Sequence, residues 1–83
     1  MDKRVGFIGI LVEDESRKTI AAEVNQMLSE FGENIVARVG IPYKERGVNV
    51  ITLIVDATTD EIGALTGKMG ALKGVSVKSA VAK

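Results

Sequence analysis

The sequence predicts an α+β sandwich: four antiparallel strands in one sheet, with two helices on one face. Three observations predict it. Segments with strand and helix periodicity alternate in the order β-α-β-β-α-β. The second and third strand segments are joined by a short polar stretch ending in Gly47, the mark of a hairpin. The first and third strand segments, 5–12 and 48–55, are apolar at nearly every position of both parities, as the central strands of such a sheet should be. Two right-handed crossovers around a hairpin give the split, ferredoxin-like topology. The whole chain, 1–83, reads as one domain.

Taken in order, residues 5–12 are a β-branched apolar run that stops at charge, too short for a helix. Glu13, Asp14, Glu15 and Ser16 follow. Asp14 or Ser16 is the expected helix cap, since acids and hydroxyls satisfy the free N–H groups of a first turn. Ile20, Val24, Met27, Leu28 and Phe31 recur at helical spacing until Gly32 stops the helix. Residues 35–41 alternate, with Ile35, Ala37, Val39 and Ile41 on one face and Val36, Arg38 and Gly40 on the other. Pro42 lacks a donor, which places this strand at an edge. Residues 56–60 are a turn with several candidate caps. A second helix follows and is expected to end at Gly74, and 75–81 alternates as the fourth strand.

The second helix carries an anomaly. Gly63, Gly67 and Gly70 fall inside it, and each interior glycine costs a helix roughly 1 kcal/mol relative to Ala. At 100° per residue, Ile62, Leu65, Met69 and Leu72 share the sector that faces the sheet. The three glycines fall in another sector, with Ala64 and Ala71 beside them and Lys68 and Lys73 flanking. The outward side is therefore smooth and small where a surface helix normally carries charge. Either a partner backbone or a ligand approaches there, or the strip simply faces water.

A second surface is also unaccounted for. Two helices cover only one sheet face, so one parity of the central strands, Ile8, Ile10, Ile51 and Leu53 or their neighbours, must lie on the open face. Such a patch marks an interface unless Lys and Arg stems cover it. A homo-oligomer, dimer or tetramer, is the expectation, through this face or through the glycine strip.

Composition excludes much chemistry. The chain has no His and no Cys, so the commonest general base, thiol nucleophiles and soft-metal ligands are absent. No metal, cofactor or catalytic residue is expected. The net charge is zero, which argues against direct nucleic-acid binding. No apolar run is long enough to span a bilayer, and no signal peptide is read at the start, so a cytoplasmic protein is expected. The third strand has no aromatic residue to stack bases. Glu13, Asp14 and Glu15 read as a solvated helix-start cluster, or else as ligands for a hard cation. Arg38 is an exposed edge residue, or a fork for a carboxylate or phosphate. Tyr43 reads as packing.

Three stretches carry a family resemblance: residues 38–42 (RVGIP), 60–70 (DEIGALTGKMG) and 74–78 (GVSVK). With the length and strand order, the chain resembles the iron-only hydrogenase system regulators. That family is similar to ACT domains and to the C-terminal half of nickel-responsive repressors. The resemblance implies an ACT-like bacterial regulatory protein that forms oligomers, with a link to [FeFe]-hydrogenase. Two departures qualify it. Nickel binding through His and Cys is unavailable here. Where amino-acid-binding ACT domains place a glycine-containing turn after the first strand, this chain has Glu13, Asp14, Glu15 and Ser16.

The expected function is a regulatory protein, not an enzyme, that answers a small-molecule effector and acts through a protein partner. Its ligand site would combine Glu13, Asp14, Glu15 and Ser16 with Arg38, Gly40 and Pro42 at a subunit interface. The alternative is a ligand-free interaction module. An acylphosphatase-like enzyme is disfavoured, because the loop after the first strand is acidic where an anion site would need Arg.

Overall fold

The computed structural model describes residues 2–82, with side chains described outside 14–19. Six principal elements follow the predicted order: β1 (Arg4–Glu13), α1 (Asp14–Glu30), β2 (Ile35–Tyr43), β3 (Val48–Ala57), α2 (Thr59–Gly70) and β4 (Val75–Val81). Short 3-10 turns, Gly32–Asn34 and Lys44–Arg46, sit between α1 and β2 and between β2 and β3. All strand pairs are antiparallel, in the order β2-β3-β1-β4. β1 and β3 are central, as their two-sided apolar runs require.

The parity of the sheet follows from burial. Ile8, Ile10 and Val12 of β1 and Leu53, Val55 and Ala57 of β3 are buried. They pack with Val24 and Leu28 of α1, with Ile62, Leu65 and Met69 of α2, and with Val75 of β4. A fully buried aliphatic side chain contributes about 1.5–3 kcal/mol, so this layer holds the domain together. Gly6 lies at the same face. A Cβ there would stand 2.9 Å from the Ala80 carbonyl oxygen, so only glycine lets β4 approach this closely without a backbone shift, while Ile62 Cδ1 at 3.7 Å would be an ordinary contact.

α2 begins at a complete capping box. The Glu61 backbone N–H donates to Thr58 Oγ1 (3.1 Å), and the Thr58 N–H donates to Glu61 Oε1 (2.8 Å). Those bonds favour the carboxylate, so the Thr58 backbone N–H first, then its hydroxyl, holds Glu61 below its ordinary pKa. Gly47, with φ of 65°, closes the turn after β2, the left-handed geometry that favours glycine.

Several details differ from the expectation. β1 passes into α1 with no loop: Glu13 is the N-cap, without a side-chain hydrogen bond, and Asp14 is already helical. Neither Asp14 nor Ser16 therefore occupies the capping position, and the loop predicted at 13–16 is absent. The alternation of β2 is broken by a bulge between Ile35 and Ala37. Ile35 packs on the core, whereas Ala37, Val39 and Ile41 pair with Ile54, Thr52 and Val50 on the other face. An added residue, Val36, reverses the parity of all that precedes it. β2 runs on through Pro42, which its edge position tolerates. α2 ends at Gly70, not Gly74. Gly74, with φ of 77°, instead turns the chain into β4.

Candidate functional site

β2 presents Arg38, Gly40 and Pro42 on its helix-facing side, opposite Leu53, Ile51 and Asn49 of β3. Alternation puts them together, since residues two apart share a face. β2 is an edge strand and Gly40 has no side chain, so α1 and the sheet do not close completely here. A groove of about 280 Å³ remains. Its helix wall is Ala21, Val24 and Asn25, and its strand wall is Gly40, Ile41 and Pro42. Val12, Asn49, Val50 and Ile51 complete the lining.

The groove is mainly apolar, with polar groups at its margin. Arg38 Nη2 donates to Asn25 Oδ1 at 3.2 Å, which ties the edge strand to α1 beside the groove. That bond engages one of the guanidinium's five N–H donors. An apolar cavity with a few fixed polar groups suits a small molecule, and this volume lies near the lower end of the range for such sites.

Of the residues expected to form a site, Gly40 and Pro42 line the groove and Arg38 stands beside it. Glu13 does not join them. It is exposed and pairs with Val48, whereas its neighbour Val12 lines the groove. The side chains of Asp14, Glu15 and Ser16 lie outside the described residues. Among the described residues, no three acidic side chains gather closely enough to hold a cation. Asn25 and Asn49 escaped the sequence reading. The signal for Asn49 was its interruption of an apolar strand. Asn25 has none, because its role depends on where α1 crosses β2.

Gly63, Gly67 and Gly70 are all exposed, and a Cβ at any of them would meet nothing within 4 Å. Among the described residues, none therefore requires glycine at these positions. A second depression of about 190 Å³ lies between α1 and α2, lined by residues that include Met27, Phe31, Leu65 and Lys68.

Comparison with known proteins places this geometry. Residues 4–79 match the model of the TM1266-like family, described as "Iron-only hydrogenase system regulator, putative". The chain belongs to this family. The structure of the uncharacterized protein TM1266 from Thermotoga maritima superposes with a TM-score of 0.92 at 40% identity, covering 99% of this chain and 100% of that one. The ACT domain of GTP pyrophosphokinase from Chlorobium tepidum superposes with a TM-score of 0.76 at 22% identity, over 94% of this chain and 99% of that one. The C-terminal domain of MgtC from Mycobacterium tuberculosis has a TM-score of 0.67 at 12% identity, over 96% of this chain and 88% of that one. The last two likenesses show the ACT-like, ferredoxin-like fold alone. No curated protein matches the chain significantly. Among the described residues, no helix is long and apolar enough to cross a membrane.

Proposed function

We propose that this chain is a ligand-responsive regulatory module of an iron-only hydrogenase system, working as a homo-oligomer in the bacterial cytoplasm. The groove between α1 and the β2–β3 hairpin carries the reading, because Arg38 is held beside an apolar cavity by Asn25. The ligand is a small molecule with an apolar body, bearing a carboxylate or other anionic group within reach of Arg38. The role is regulatory, not catalytic. The family description supports this, as does a chain without His or Cys. The signal passes to a protein partner.

A thermal-shift screen at fixed protein concentration tests the ligand. Small organic acids, amino acids and nucleotides form the panel. A ligand at about a hundred times its dissociation constant adds roughly 2.7 kcal/mol, or about 11–22 °C for a domain of this size. The expected result is a shift that Arg38→Ala and Gly40→Leu both abolish. A flat screen would leave the second reading, a ligand-free interaction module, which the uncovered apolar sheet face favours.

A further inference from the structure

The two edges of the sheet differ. β2 is blunted as edge strands commonly are, by the bulge before Ala37 and by Pro42, which has no N–H to offer. β4 has neither: its register against β1 is unbroken from Val75 to Val81. Two bonds, from the Glu13 N–H to the Gly74 carbonyl and from the Ala82 N–H to the Val5 carbonyl, fix which backbone groups of β4 point inward. Residues 74, 76, 78, 80 and 82 bond to β1, so the residues between them turn their N–H and C=O groups outward. The Val75 N–H is taken by the Leu72 carbonyl. The N–H groups of Val77, Ser79 and Val81 face away from the sheet, and β4 is its last strand.

We infer that the open edge of β4 takes an extended, acidic segment of a partner protein as a fifth strand. The inference rests on the protein partner of the proposed function and gives it a surface and a chemistry. Backbone groups spaced along an edge select an extended chain, since another strand satisfies them in step. Charge selects the composition. Residues 62–83 carry four lysines and no acid, although the whole chain is neutral. Lys78 stands exposed at the middle of β4, and Lys73 stands exposed in the turn before it. Glu13, beside Gly74, lies at one end of this edge, and Asp60 and Arg4 lie at the other. Opposite charges across neighbouring strands stabilise a ladder, and like charges directly opposite weaken it. A second copy of β4, pairing antiparallel through Val77 and Ser79, would set Lys78 against Lys78. An acid in that place makes a favourable pair.

α2 leaves room for the added strand. It packs on β4, and Glu61, Ala64, Leu65 and Lys68 border the depression that it shares with α1. At about 100° per residue, Gly63, Gly67 and Gly70 then fall on the flank away from α1, on the side of the β4 edge. A fifth strand lies about 4.8 Å beyond β4, and its helix-facing side chains rise against this flank. The glycines present no side chain there, and the space around each is open to 4 Å, so the strand can come close. Three glycines that weaken the helix thus gain a purpose that the monomer does not supply.

A random peptide library displayed on phage, selected on the full chain, supplies the probe. The winners should alternate acidic and apolar residues. Added as synthetic peptides to isotope-labelled protein, they should slow hydrogen exchange at the Val77 and Ser79 amides. Ser79→Pro should weaken their binding at least about tenfold, because it removes an outward N–H and no ladder bond. Lys78→Glu changes an exposed side chain and leaves the backbone edge intact, so it decides even where Ser79→Pro disturbs β4; selection on it should yield basic winners in place of acidic ones. Selection without enrichment, winners without acids, or peptides that bind and leave the Val77 and Ser79 amides exchanging as before overturn the inference. Polyuridylate binding as tightly as the peptides also overturns it, by assigning a surface for any polyanion. A dimer that Ser79→Pro splits gives the edge to a second copy and overturns it too. The ligand reading fails separately: a flat thermal screen on a protein that binds these peptides sinks that reading and spares this one.

Discussion

Gly6 and Gly9 stand three residues apart on β1 and face opposite sides of the sheet. At Gly6 a side chain is forbidden without a backbone shift, because the Ala80 carbonyl oxygen already occupies its space. At Gly9 a side chain is allowed, and the chain has none. The first glycine is explained by the monomer and the second is not. The same contrast extends across the sheet: Leu53 is fully buried under the helices, while Ile54 beside it is open to water. A glycine or an exposed aliphatic residue thus gains meaning from the face that it occupies.

Substitutions can break this comparison, and denaturant midpoints at one fixed protein concentration read them. The largest effect should come from Leu53→Ala, at about 2–5 kcal/mol, because a cavity opens in a packed layer. Ile54→Ala should cost far less in the monomer; equal losses would mean that the two faces are not different. Gly6→Ala should cost about 1–3 kcal/mol, since backbone must move to admit the Cβ. Gly9→Ala should leave the monomer unchanged or slightly firmer.

Smaller effects sharpen the same contrast on α2. Gly63→Ala and Gly67→Ala should each stabilise the monomer by up to about 1 kcal/mol, because the added Cβ meets nothing. A loss of stability would show a contact within the chain at that strip. Thr58→Ala should cost about 1 kcal/mol by removing the cap. The smallest effect is pH-dependent. Glu61 is held below its ordinary pKa in the folded state, so its bond to the Thr58 N–H stabilises the fold above the usual carboxylate range. That contribution fades as pH falls through the folded pKa, and Glu61→Gln should flatten this part of the acid-unfolding profile.

The candidate site was partly legible. Arg38, Gly40 and Pro42 fall on one side of a strand by alternation alone, and the groove lies along that side. Glu13 was misplaced because one residue of parity separates it from Val12, and an apolar strand on both faces gives no sign of which parity the helices will take. Asn25 was invisible because its hydrogen bond to Arg38 joins elements that are separate in sequence.

The sequence by itself determined what repeats within an element. The order of strands and helices, the two central strands and the outward turn of Gly63, Gly67 and Gly70 all follow from spacings of two or of 3.6 residues, which depend only on neighbours along the chain. Tertiary structure alone decided which sheet face the helices cover, where the Val36 bulge reverses β2, that α2 stops at Gly70, and where the groove opens. Those outcomes depend on how distant elements pack, and no local period records the position of a partner that arrives from elsewhere in the chain.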